Sequence, residues 1–189
     1  MFATFNPVQP IELTLVTDHL VIAGTVMSRL RRITDLLNDP DSAHLVMLNA
    51  TFTELGSRRL IAEAAAAQVQ LNDVLFAHPT SATDAAGEAH SSKQAIRACL
   101  LVTPFTIEGE IHLGYETELR IALAGLTDAF IPVTNARYWS YTVAESPSFV
   151  DVLLVNHSRA HIAVDAGVQW KTEMPGMGSA AHDRSSNPW

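Results

Sequence analysis

A chain of 189 residues that is 48% hydrophobic and 17% charged has the composition of a globular protein with a core, not of a disordered segment. Its formal charge of −8 disfavours general affinity for nucleic acid or anionic membrane, because both are polyanions. The single cysteine, Cys99, excludes an intrachain disulfide and every multi-cysteine metal site.

Cys99 lies in the apolar run Ala98–Val102 and is expected to be a small buried hydrophobe. No apolar stretch reaches the roughly 20 residues that span a bilayer. Residues Met1–Pro7 lack a charged region followed by an apolar run, so no secretory signal is expected and the cytoplasm is the expected location.

In chain order, Ile11–Val16 and Leu20–Ser28 alternate apolar and polar residues with period two and read as a strand pair joined at Thr17-Asp18-His19. Gly24, in the middle of the second, marks a bulge or sharp bend. Leu30–Asn38 places apolar residues at 30, 33, 36 and 37 on one helical face and ends at Asn-Asp-Pro. His44–Leu55 returns to strand character. Arg58–Gln68 has high helix propensity, but the corresponding Thr142–Val152 contains Glu-Ser-Pro-Ser and two valines, and the repeat described next makes a strand the expectation. Residues 81–94 read as a Ser-, Ala- and Gly-containing flexible linker and 165–189 as a disordered tail.

The chain is written twice. Leu15-Val16-Thr17 answers to Leu101-Val102-Thr103, and Val21–Val26 to Thr106–Ile111, with Gly24 meeting Gly109. Arg32-Ile33 meets Arg120-Ile121, Leu45–Ala50 meets Ile131–Ala136, and Val69–Asn72 meets Leu153–Asn156. The offsets stay between 84 and 88 residues in one order, which fixes an internal repeat before any element is assigned. The expected organisation is a mainly β protein: a first unit over 11–80 and a second over 95–164, each a small bent sheet with one short helix.

The order of a strand, a glycine-bent strand, Arg-Ile-Thr-Asp-Leu-Leu-Asn, and further strands through Leu-Asn and Val-Asn resembles a bacterial domain family of unknown function found in single and tandem copies. That family is similar to the Sm-like fold, a five-stranded, strongly bent open barrel. The resemblance implies assembly by pairing of the fourth strand of one barrel with the fifth of the next. It does not carry RNA binding across residue by residue. Asp35 and Asn38 stand three apart instead of the usual four, and the second unit has Ala124-Gly125-Leu126 there. The arginine of the second Sm motif is missing from both Leu71-Asn72-Asp73 and Val155-Asn156-His157.

Two constellations stand out. Arg29, Arg31, Arg32, Arg58 and Arg59 are half of the arginines and all fall in the first unit, a candidate anion- or partner-binding group or a solvated face paired with Asp35, Asp39 and Asp41. Tyr138, Trp139 and Tyr141 are candidate interface residues, with 139 and 141 sharing a face. His157 and His161 are no metal pair on a strand, where residues four apart lie roughly 13 Å from each other. Asn38–Ser42 lacks the glycine and glutamate of a calcium loop. No catalytic, metal or cofactor motif is present.

The expectation is therefore a non-catalytic binding or scaffolding protein, a homo-oligomer or a subunit of a complex. The alternative is a nucleic-acid or nucleotide-binding regulator that uses the first-unit arginines. The edges expected to drive assembly are the hydrophobic segments Val69–Ala77 and Phe149–Val155, which lack the lysines and prolines that protect a monomer's edges.

Overall fold

The computed structural model describes residues 7–30, 32–80, 93–114, 118–140, 142 and 146–164. The first strands, β1 (Gln9–Thr17) and β2 (Leu20–Ser28), form the expected hairpin, with Leu13 and Leu15 of β1 fully buried at alternate positions. The Thr17 hydroxyl accepts the Leu20 N–H at 3.0 Å and closes the turn. The helix α1 (Ile33–Leu37) is shorter than the sequence suggests. Leu30 lies before the helix, in the connection after β2, where its N–H donates to the Ser28 hydroxyl at 2.9 Å.

Next come β3 (His44–Glu54) and β4 (Leu60–Gln70). The alanine-rich β4 is a strand despite its helix propensity, because β3 supplies nine cross-strand partners along it. Tertiary pairing overrides a local preference worth only tenths of a kcal/mol per residue. A 3-10 turn, Leu71–Asp73, separates β4 from β5 (Val74–Pro79). The expected single strand Val69–Ala77 is thus two strands with a turn between them.

The second half runs β6 (Lys93–Val102), β7 (Phe105–Gly114), α2 (Leu119–Ala124), β8 (Phe130–Ser140) and β9 (Ser148–Asn156). It ends with a 3-10 turn, His157–Arg159, and β10 (His161–Val164). Lys93 and Gln94, expected in the linker, already belong to β6. The expected tail lies outside the described residues. No described helix is long and apolar enough to cross a membrane.

All ten strands join one open antiparallel sheet, in the order β10-β6-β7-β8-β9-β5-β1-β2-β3-β4. The order within the first half is β5-β1-β2-β3-β4, and within the second β10-β6-β7-β8-β9. Fifth, first, second, third and fourth strands thus lie side by side in the same sequence in both. The helices fall at the same place too, between the second and third strands of each half.

The mid-strand glycines carry the bends. The β2–β3 ladder shifts register between Ala23 and Thr25, and the β7–β8 ladder between Glu108 and Glu110. A Cβ at Gly24 would meet the Leu48 carbonyl oxygen at 2.9 Å; at Gly109 it would meet Val133 Cγ1 at 2.5 Å and the Thr134 carbonyl oxygen at 2.8 Å. Across from these bulges Asn49 and Asn135 take left-handed backbone, φ 50° and 51°, which asparagine tolerates better than branched residues. Each bend is a glycine–asparagine pair.

Gly109→Ala is expected to cost about 1–3 kcal/mol, as overpacking of a filled interior does. Gly24→Ala is expected to cost less, because no branched side chain abuts it. Urea unfolding, read from the midpoint at constant slope, measures both. Equal and negligible costs would mean that the backbone gives way at the bulges.

Candidate assembly interface

The two halves meet edge to edge. β5, the last strand of the first half, pairs antiparallel with β9, placing Phe76 opposite Val155 and Ala77 opposite Leu154. Val74 and Ala77 face the first half, while Leu75, the extra residue where the β1–β5 ladder shifts register, breaks the alternation so that it and Phe76 share the other face. Leu75 and Phe76 enter the core of the second half, together with Val16. Phe130 and Leu154 cross the other way into the core of the first half. The ring of Phe76 stands edge-on to Phe105 at 4.9 Å and tilts against Tyr138 at 5.0 Å. Each such ring pair adds about 0.5–1.5 kcal/mol beyond the area it buries.

Polar side chains fix the register. The Asn38 amide donates to the Phe130 carbonyl at 2.8 Å, while its oxygen accepts the Phe130 N–H at 2.7 Å. One side chain thereby satisfies both backbone groups of a residue on the facing half, as a neighbouring strand would. Asn156, 4% exposed, donates its amide to the Val74 carbonyl at 2.9 Å and reaches the Leu71 carbonyl at 3.5 Å. Arg159 forks onto both carboxylate oxygens of Asp18 at 2.9 and 2.8 Å. Both partners of that pair are over a third exposed, so it contributes under about 1 kcal/mol and serves alignment more than stability.

The segments expected to be free edges are therefore each other's partners: the C-terminal part of Val69–Ala77 is β5, and Phe149–Val155 is β9. Tyr138, a candidate interface residue, packs inside the chain against Phe76 and Phe105 at the junction between the halves. Trp139 points to the opposite face, where the Arg137 guanidinium lies 4.9 Å from its ring centre. Tyr141 lies outside the described residues.

The four described arginines of the group do not converge. Arg29 and Arg32 follow β2, whereas Arg58 and Arg59 lie in the β3–β4 turn beside the start of β2. The two groups therefore lie at opposite ends of the nine-residue β2. Arg31 lies outside the described residues. Arg59 is held 3.5 Å from Glu54, whose carboxylate also accepts the Ser57 hydroxyl at 2.5 Å. The Ser57 bond first, and then the Arg59 charge, hold the Glu54 carboxyl below its usual range.

One row of side chains was not foreseen from the sequence. Cys99, Glu108, Arg137 and Phe149 sit directly opposite one another across β6, β7, β8 and β9 and share a face. Glu108 and Arg137 pair at 3.1 Å, both mostly buried. Burial, and then the Glu108 charge, push the Cys99 thiol up, which makes it unreactive. Nearby, His112 Nε2 lies 2.9 Å from the Thr134 hydroxyl, and the Asn135 amide donates to Glu110 at 2.9 Å. No group of three metal-ligating side chains occurs among the described residues. Comparison with family models, curated proteins and solved structures found no match to this chain.

Asn38→Ala leaves the Phe130 backbone without its partner and is expected to cost about 1–3 kcal/mol, against under about 1 kcal/mol for Arg159→Ala. Chemical denaturation of the two variants ranks them; the reverse order would mean that the ion pair, not the amide, fastens the halves.

A pH effect is expected at the same junction. His78 of β5, half-buried beside Tyr138, donates Nδ1–H to the Pro79 carbonyl at 3.0 Å. Burial pushes its imidazole below the ordinary value of 6.5, against the Pro79 bond that acts to raise it. The unfolded chain then binds a proton that the folded chain resists. This part of the stability is present above 6.5 and is lost as pH falls from there through the lowered folded value. Melting between about pH 7.5 and about pH 5 should show a drop that His78→Asn reduces; an unchanged slope would exclude His78 as its source.

Proposed function

We propose that this chain is a non-catalytic binding and scaffolding protein of the cytoplasm, a tandem pair of small Sm-like β units that assembles with protein partners through its strand edges. The observation behind this reading is the junction itself. Where the two halves associate, they do so by adding one edge strand to another and sharing core side chains, not by docking closed surfaces. Pairing of a half's fourth strand, β9, with the other half's fifth, β5, is also the contact that the Sm-like resemblance implies. The matching strand orders and the matching glycine–asparagine bends support common origin of the halves.

Strand addition suits a scaffold. It contributes backbone hydrogen bonds that any partner edge can supply, while the side chains beside the edge select which partner fits. The nucleic-acid alternative has less behind it, since the arginine groups lie at opposite ends of β2 and the chain carries a formal charge of −8.

Light scattering at micromolar concentration is expected to give a mass above the 20.5 kDa of one chain. In parallel, fluorescence anisotropy with generic RNA at physiological salt is expected to show no binding. Tight, salt-sensitive RNA binding lost on Arg32→Ala, Arg58→Ala and Arg59→Ala would replace the scaffold reading with the nucleic-acid one.

A further inference from the structure

Two edges remain once the chain's own ladders are counted. Among the described residues β4 pairs only with β3, and β10 only with β6. β4 is eleven residues long and largely exposed, and Glu63 is its one charged side chain. It holds no proline and no lysine, the residues with which a strand discourages an incoming neighbour. β10 presents the short run His161–Val164, with Ile162 and Val164 half-buried against the core of its half.

The internal junction is a template for what such edges do when they meet. β4 occupies in the first half the place of β9 in the second, and β10 occupies the place of β5. The ladders fix the correspondence residue by residue. Gln70 and Asn156 stand opposite His44 and Phe130, the first residues of β3 and β8. Ala77 and Ile162 stand opposite Leu15 and Leu100, which face Ile22 and Ile107 in turn. Transposed in this way, Phe76 opposite Val155 becomes His161 opposite Val69, and Ala77 opposite Leu154 becomes Ile162 opposite Gln68.

We infer that β4 of one copy pairs antiparallel with β10 of a second copy of this chain, in the register that sets Val69 against His161 and Gln68 against Ile162. This rests on the edge-assembly reading above and names its partner. The polar chemistry of the template is kept at one point. Asn156 crosses the internal junction by donating to the carbonyls of Leu71 and Val74, which open and follow the first 3-10 turn. Gln70 holds the place of Asn156 and also carries an amide donor. It faces the corresponding carbonyls of the neighbour, those of His157 and Ala160.

The other fasteners are not repeated. Gly125 caps α2 where Asn38 caps α1, Thr103 stands in the turn position of Asp18, and Asp73 in that of Arg159. The contact between copies therefore lacks the amide clamp and the ion pair, and it is weaker and more reversible than the one between halves. A symmetric β4–β4 contact would leave β10 unpaired in both copies. Pairing β4 with β10 uses both edges in one head-to-tail contact, which closes as a ring or runs on as a filament.

Cross-linking between chains tests the register. In a Cys99→Ala background, Gln68→Cys protein mixed with Ile162→Cys protein and oxidised should give a disulfide-linked pair of chains, mapped by mass spectrometry to 68 and 162. Ala64→Cys mixed with Ile162→Cys should stay at background, being four residues, or roughly 13 Å, out of register. The double variant Gln68→Lys/Ile162→Lys, checked for a native circular-dichroism spectrum, sets like charges opposite each other and should reduce the assembly to the 20.5 kDa chain.

Assembly without the 68–162 link, or with Gln68→Cys linking only to itself, overturns this inference and leaves edge assembly standing. A 20.5 kDa mass for the unaltered protein at micromolar concentration overturns both.

Discussion

The pairing of β5 with β9, with Phe76 driven into the facing half, is the contact on which the rest of the molecule depends. Neither half has a complete core alone: the second half is closed by Val16, Leu75 and Phe76, and the first by Phe130 and Leu154. The ladder at the junction holds only two partner pairs. Backbone hydrogen bonds are therefore the smaller part of what joins the halves, and burial of these five side chains is the larger. Fully burying one large apolar side chain contributes about 1.5–3 kcal/mol, several times the share of an exposed ion pair. Unfolding either half strips the other of part of its interior, which couples the two.

Hydrophobic exchange alone tolerates sliding by two residues, since a shift of two keeps every side chain on its face. The buried Asn156 and the half-buried Asn38 remove that freedom. Asn38 engages both backbone groups of one residue, Phe130, and Asn156 reaches the carbonyls on either side of a tight turn. Each leaves buried polar groups unsatisfied in any other register, at a cost of about 1–3 kcal/mol. Specificity here comes from amides, with burial supplying the strength.

The bends are a local matter with a global effect. A strand that must curl over its own core needs an extra residue on one side of the ladder and room for a neighbouring carbonyl on the other. Gly24 and Gly109 give the room, and Asn49 and Asn135 accept the left-handed backbone. The requirement is geometric, so both halves meet it with the same residue types at places that the sequence displays openly.

What the sequence determined by itself was the content of each half. Period-two alternation marked the strands, the mid-strand glycines marked the bends, and the strand character of residues 60–70 followed from the second half against a helical propensity. The residue matching was less exact. In sequence Leu15 matches Leu101, yet the ladders equate it with Leu100, opposite Ile107 as Leu15 is opposite Ile22. Arg32-Ile33 aligns with Arg120-Ile121, although the helices begin at Ile33 and Leu119.

Short apolar runs look alike after such slips; only hydrogen-bonded partners resolve them. Tertiary structure alone decided which edges are used up. Val69–Ala77 and Phe149–Val155 carry the same hydrophobic signal whether they meet each other or a second molecule. Asn38 and Phe130, 92 residues apart, bear no mark of their pairing. Strand pairing is a property of two edges brought together, and a single edge's sequence states only that it is ready to pair.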